Sequence, residues 1–344
     1  MQPETLIGAA ILAALIAYAL GGGADFGGGM WDLLASGPRA DRQRKAIEDA
    51  IGPIWEANHV WLIVAIVLLF SAFPPAFAAI MTALNIPMTL VLIGIVLRAA
   101  AFVFRKYDVG SDAVHRRWST VFGVSSFLTP FLLGICLGAL GSGQIRWQDG
   151  VVTTGFLEGW TRPFAIGCGL FAQGLFAFLA ATYLAVDTTA DPDLQEDFRS
   201  RALFSALSLA PAAALVFWLS IAGAPEIHAG LTRPWAPLLL AATSLCAVGA
   251  IATLWRRDFR AARVFAVGQV ALILTGWGVA QHPHLVIPDL TLEGAATADA
   301  TLKLLAWVLG AGAVVLLPSF WALFRVFKGR RTGGSVSGER SQGG

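Results

Sequence analysis

The sequence predicts an all-α polytopic membrane protein of about nine transmembrane helices, and three observations carry that expectation. The chain of 344 residues is 56% hydrophobic and only 13% charged, with a mean hydropathy of +0.69, whereas soluble domains carry about 25% charged residues. Apolar runs of about 20 residues, each long enough to cross a bilayer, recur along almost the whole length. Glycine, proline and charge clusters such as "SGPRADRQRK", "RKYDVGSDAVHRR", "DTTADPDLQEDFRSR" and "WRRDFRAAR" divide those runs. The net charge of +2 gives no reason to expect a nucleic-acid partner.

Taken in order, the expected spans are 6–35, 47–72, 75–104, 119–141, 164–187, 202–224, 236–255, 263–281 and 303–327. The first three exceed what a bilayer needs, so their ends should project or tilt. The N-terminal "MQPET" has no positive n-region and no small-residue cleavage site follows, so span 1 reads as a retained helix. Residues 1–327 then form one integral-membrane domain. The Gly/Ser-rich, charged tail 328–344 should be disordered. Cys136, Cys168 and Cys246 all fall inside apolar runs and read as small core residues, not as metal ligands or a disulfide framework.

Most of the 24 Lys and Arg fall after spans 1, 3, 5 and 7 and in the tail. Arg146, Arg162, Arg233 and Lys303 belong to the other side. The positive-inside rule then puts the N-terminus outside and the C-terminus in the cytoplasm. Within the spans, Arg325 sits at the inner end of span 9, and Arg98 is the basic residue expected at depth.

Span 1 ends in "GGGADFGGGMWDLL". Gly21, Asp25, Gly28, Gly29 and Asp32 share one helical face at 100° per residue. Small residues admit a neighbouring helix closely, so the carboxylates should face protein. Asp32 lies near enough to the span end to cap it or reach the headgroups. In span 2, "IGPIWEANHVWLI", the residues Glu48, Asp49, Gly52, Glu56 and His59 form a second stripe leading inward from the basic side. Ionisable residues inside a span are costly and mark function by default; a row of them suits a proton path, and equally suits a polar network that fixes helix register. Trp55 and Trp61 bracket Glu56, with Asn58 beside it. Arg98 needs an anion at its depth, and Asp25 and Glu56 belong to the same leaflet. Pro87 should kink span 3. Of the five histidines only His59 lies at depth, which offers no ligand pair for a haem on this chain.

"GADFGGGMWDLL", "GPIWEANHVWLI" and "VLRAAAFVFR", in that order in consecutive spans, resemble subunit II of the cytochrome bd-type quinol oxidases. The last outer loop, "QHPHLVIPDLTLEGAATADATLKLL", and "LLPSFWALFRVFK" look similar too, closest to the cyanide-insensitive branch. Spans 4 to 7 carry little that distinguishes them. The resemblance implies two four-helix bundles plus a peripheral helix, in a bacterial inner membrane. It implies a haem-bearing subunit I holding haems b and d, or b only, which draws on the quinol pool and reduces O₂ to water. A bound quinone and a small accessory subunit are left open, and membrane lipid surrounds the whole. By motif, Glu56 takes the position of the family's intramembrane acid on the proton path, where many relatives have aspartate. Asp25 matches the acid of the first helix and Arg98 the intramembrane arginine. His59 stands where other members have glutamine. Two other classes remain open on the residues alone: a proton-coupled secondary transporter and a purely structural scaffold.

Overall fold

The computed structural model describes residues 2–52, 55–107 and 112–329. Twelve helices dominate the described residues: α1 (Pro3–Leu33), α2 (Ala40–Ile51), α3 (Trp55–Ala72), α4 (Pro74–Ala83), α5 (Asn85–Tyr107), α6 (Asp112–Gly141), α7 (Pro163–Asp187), α8 (Pro192–Gly223), α9 (Pro225–Leu231), α10 (Ala236–Trp255), α11 (Phe259–Gln281) and α12 (Asp299–Gly329). Eight are long and apolar enough to cross a membrane, and the bent pair α2–α3 makes a ninth if counted as one span. The all-α polytopic fold is therefore as the composition predicts. α1, α3, α5 and α6 pack as one group, and α7, α8, α10 and α11 as another. α1 and α6 both lie against α7 and join the two groups, while α12 lies at the periphery, packed mainly on α1 and α3.

Two predicted spans are broken. Span 2 divides into α2 and α3, bent by 54°. α2, "ADRQRKAIEDAI", is too polar to enter hydrocarbon, and it buries only Gln43, Ile47 and Ile51. That is the pattern of a helix lying along an interface. Span 3 divides at Leu84 into α4 and α5. Pro87 has no N–H for the Ala83 carbonyl and its ring crowds that oxygen, so α4 ends at Ala83 instead of continuing through a kink. The helix that crosses is α5 alone. α8 in turn begins ten residues before its predicted span. The predicted disordered tail lies outside the described residues from 330 onward.

Opposite the Arg-rich end, two short antiparallel hairpins were not foreseen. β1 (Trp147–Gln148) pairs with β2 (Val151–Val152), and β3 (His284–Val286) with β4 (Leu290–Thr291). Asp149 and Gly150 turn the first hairpin, both with positive φ, as a two-residue Asp-Gly turn demands. Arg146 clamps the two hairpin segments, donating to Asp289 from Nε at 2.8 Å and Nη2 at 3.0 Å.

Candidate functional site

α1 is enclosed because its glycines leave no room for anything but close neighbours. A Cβ on Gly27 would stand 2.0 Å from the Phe176 carbonyl oxygen of α7. One on Gly29 would stand 2.1 Å from Ser126 Oγ of α6, and one on Gly21 2.5 Å from Asn58 Oδ1 of α3. Three helices thus approach the backbone of α1 as small-residue faces allow. Trp31 Nε1 adds a hydrogen bond of 2.8 Å to the Ala177 carbonyl of α7. Both carboxylates of the glycine stretch are inside the protein: Asp25 is 3% exposed and Asp32 1%.

Each acid has its own arginine on α5. Asp25 accepts from Asn58 Nδ2 at 2.5 Å and interacts electrostatically with Arg98. Arg98 is only 2% exposed. Its Nε donates to Ser126 Oγ at 3.1 Å, and its guanidinium lies 4.9 Å from the Phe26 ring centre and 5.2 Å from that of Phe122. Asp32 accepts from Arg105 Nη1 at 3.0 Å on both oxygens, and Arg105 Nη2 lies 3.5 Å from Glu48 Oε2 on α2. Phe122 sits under Arg105 as well, at 5.0 Å. Asp25 to Asp32 and Arg98 to Arg105 are both steps of seven residues. Seven residues are two turns, about 10 Å along a helix, so the matched steps make two stacked rungs between helices running the same way.

These contacts correct several expectations. Asp32 does not reach the headgroups; Arg105 neutralises it in the interior. Arg105 itself was expected in a loop, but α5 runs on to Tyr107 and buries it. Its signal was its place seven residues after Arg98. Asn58, expected as packing, is a hydrogen-bond donor to Asp25. The single stripe from Glu48 to His59 does not exist, because α2 and α3 are separate helices. The phase of α3 is set by Asn58, Ala65 and Ala72, all buried against the protein. Glu56 lies 200° from Asn58 on that helix, so it is exposed on the outer face with Ile63, Val67 and Phe70. It occupies the first turn, where a carboxylate complements the helix dipole. Asp49 is exposed on α2. Trp61 is half-buried and packs on the main core, and the side chain of Trp55 lies outside what is described.

His59 falls at the edge of the inner face of α3. Its ring lies 5.8 Å from Tyr18 and 6.0 Å from Phe26. Tyr18, seven residues before Asp25, shares the face of the two aspartates and was missed. Its hydroxyl, His59 Nδ1 and Arg98 Nη2 are all buried with no hydrogen-bond partner.

Two further features frame this cluster. At the Arg-rich end Asp197 of α8 accepts from Arg39 (2.9 and 2.5 Å) and from Gln43 of α2 (2.7 Å). Arg42 also pairs with Asp191, the N-cap of α8. That contact holds the Asp191 carboxyl below its usual range. α2, and with it Glu48, is thereby fastened to the second helix group. Toward the other end lies an apolar cavity of about 520 Å³ whose lining includes Leu12, Leu133, Cys136 and Phe176, with Tyr18 in its wall. Arg233, Trp235, Gln281 and His282 also line it. Among the described residues, no group of three or more His, Cys, Asp or Glu could hold a metal ion.

Residues 3–327 match the family model for cytochrome bd terminal oxidase subunit II. The chain belongs to that family. It is 28% identical over 355 residues to the cytochrome bd-I ubiquinol oxidase subunit 2 of Escherichia coli K12, covering 91% of each chain. It is 24% identical over 320 residues to a putative cytochrome bd menaquinol oxidase subunit II of Bacillus subtilis 168, covering 90% of this chain and 91% of that one. In fold it is similar to a chain of the bd oxidase of Geobacillus thermodenitrificans, with a TM-score of 0.80 at 21% identity over 95% of this chain and 99% of that chain. As a bd oxidase subunit II it is part of a terminal oxidase complex, an oxidoreductase that contains haem and a subunit I. The transporter alternative gives way to this membership.

Proposed function

We propose that this subunit stabilises a haem-bearing subunit I and lines a path that brings cytoplasmic protons toward the site of O₂ reduction. The observation that carries the reading is the ladder of ionisable groups on α1 and α5. It starts at half-buried Glu48, passes the Asp32–Arg105 rung, and ends at the Asp25–Arg98 rung with Asn58 and His59 alongside. The guanidinium groups offset the desolvation that would otherwise make buried carboxylates untenable, and because the rungs stand about 10 Å apart, bridging waters carry the proton between them. The Arg-rich end is taken as cytoplasmic and the N-terminus as external, on the positive-inside rule. Residues 1–327 are the membrane body, in a bacterial inner membrane. Four-electron reduction of O₂ consumes four protons; drawing them from inside, while quinol releases its own outside, separates charge without a pump.

Glu56 fits this scheme from the other side. A carboxylate beside Ile63, Val67 and Phe70 would be costly against lipid, so subunit I is the natural cover for that face. Asp49, exposed beside Glu48 on α2, would collect protons from water. Haems b and d, or b alone, are assigned to subunit I. The histidines lining the cavity do not form an opposed ligand pair: His282 is exposed, and His284 faces Glu226 at 3.8 Å. A quinone suits the cavity better, since 520 Å³ of mostly apolar lining is typical of small-molecule sites. Gln281 Oε1, buried and unpartnered, and Arg233 are among the polar groups available to its ring.

The test is substitution in the assembled oxidase. Asp25→Asn, Glu48→Gln and Glu56→Gln should each slow O₂ consumption, Asp25→Asn by about tenfold or more, and enlarge the solvent isotope effect while haem spectra stay unchanged. Wild-type O₂ consumption in Asp25→Asn with normal haem spectra would refute the proton path.

A further inference from the structure

We infer that Tyr18, His59 and Arg98 together hold an internal water, and that this water is the last station on this chain between the Asp25–Arg98 rung and the outer face of α3. The inference rests on the proton-path reading above and adds a site and a residue, Tyr18, to it.

Three helices contribute one orphaned atom each. Tyr18 Oη from α1, His59 Nδ1 from α3 and Arg98 Nη2 from α5 are buried and unpartnered. The three side chains gather around one ring, Phe26: Tyr18 at 6.5 Å and His59 at 6.0 Å between ring centres, and the Arg98 guanidinium at 4.9 Å. Isolated orphaned groups are rare in folded proteins, because a buried donor or acceptor forfeits its hydration. Three of them around one aromatic ring share a simple remedy, a water with two to four polar partners. Tyr18 can donate or accept, Nδ1 can accept, and Nη2 can only donate, so one water can satisfy all three.

The surroundings confine that water. Tyr18 also lines the wall of the mostly apolar cavity, whose lining includes Leu12, Leu15, Leu62 and Phe176, side chains that offer a water no hydrogen bond. Nearby charge comes from Asp25, which interacts with both Tyr18 and Arg98, and Ser126 is already engaged with the Phe122 carbonyl and Arg98 Nε. The open direction is α3, where His59 is only half-buried and Glu56 lies one turn away on the exposed face. A proton passed to the water from Asp25 bonds to its oxygen while another O–H of the same water gives its proton onward to the Glu56 carboxylate on α3, a net transfer of one proton and no electron.

Hydroxyl-radical labelling of the assembled oxidase by short X-ray pulses, read by mass spectrometry, tests the site without relying on turnover. Radicals born at a bound water attack its neighbours. Phe26 should therefore be oxidised several-fold faster than Phe178 and Phe198, which are equally buried, and Tyr18 should be labelled with it. Tyr18→Phe keeps the ring and removes only the hydroxyl; it should lower labelling of Phe26 and slow O₂ consumption. His59→Leu should do the same, and His59→Gln should restore both, since an amide can still hold a water. Labelling of Phe26 at the Phe178 rate overturns the water. Wild-type O₂ consumption in both Tyr18→Phe and His59→Leu, while Asp25→Asn is slow, overturns its place on the path and leaves the path itself standing. If Asp25→Asn is also silent, the path fails.

Discussion

The first and last long helices have the same length and opposite surroundings. α1 and α12 each span 31 residues and are apolar enough to cross a membrane. α1 is gripped by α3, α6 and α7, and its glycines are places where another helix already stands. α12 touches its own chain along one edge; Trp307 is 80% exposed, and a Cβ on Gly310 or Gly312 would meet nothing within 4 Å. Hydropathy alone cannot tell these two situations apart. The distinguishing mark is the pairing of small residues with acids: a span facing only lipid has no use for Asp25 or Asp32, whereas an enclosed one can hold them against arginines.

The comparison can be broken most forcefully through Arg98. Arg98→Leu leaves Asp25 without its guanidinium, and removing one partner of a buried pair costs about 3–5 kcal/mol. The expected result is a large drop in the melting temperature and yield of the purified complex; an unchanged melting curve would mean that the charge inside α1 is not held as described. Gly27→Ala should come next, at about 1–3 kcal/mol, because the obstacle is the Phe176 carbonyl and α7 must move as a whole to relieve it. Gly312→Leu on α12 meets nothing and should shift the melting of the chain by no more than about 1 kcal/mol, upward, from helix propensity alone. Loss of subunit I on purification of that variant would show instead that α12 is covered in the complex, and the contrast with α1 would then belong to the isolated chain only.

The smallest effect is expected at the hairpins. Burial opposes ionisation of Asp289, but the Arg146 hydrogen bond, the Trp147 N–H and the Arg146 charge outweigh it and hold its pKa below the ordinary carboxylate value. A group depressed in the folded state stabilises above the unfolded pKa, about 4 for aspartate, and that contribution disappears as pH falls through the lower folded value. Protection of the amides at 147–152 and 284–291, relative to their intrinsic exchange rates, should therefore fall below about pH 4, and Asp289→Asn should remove that pH dependence.

Much of this was legible in the sequence, for identifiable reasons. Spans such as α7 and α10 are uninterrupted apolar runs between charged loops, and their boundaries follow directly. Asp25 and Arg98 were placed in the same leaflet because each span runs on into a basic loop. What escaped depended on phase and on breaks. Glu56 read as an inward acid only while α2 and α3 were treated as one helix; Asn58, Ala65 and Ala72 define the true inner face. Arg105 was counted with Lys106 as loop charge because an arginine at a span end ordinarily reaches water, and nothing nearby in sequence announces Asp32 as its partner. The β1–β2 hairpin did carry a signal, the Asp149-Gly150 turn, but strands of two residues leave no periodicity to detect.

The matched seven-residue steps on α1 and α5 have an evolutionary consequence. One residue inserted between Asp25 and Asp32 would swing the lower carboxylate by 100° and strand Arg105, with no local repair available. Such a change is tolerable only if the stretch between Arg98 and Arg105 lengthens in the same lineage. Gaps in these two segments should therefore occur together or not at all when many sequences of the family are compared.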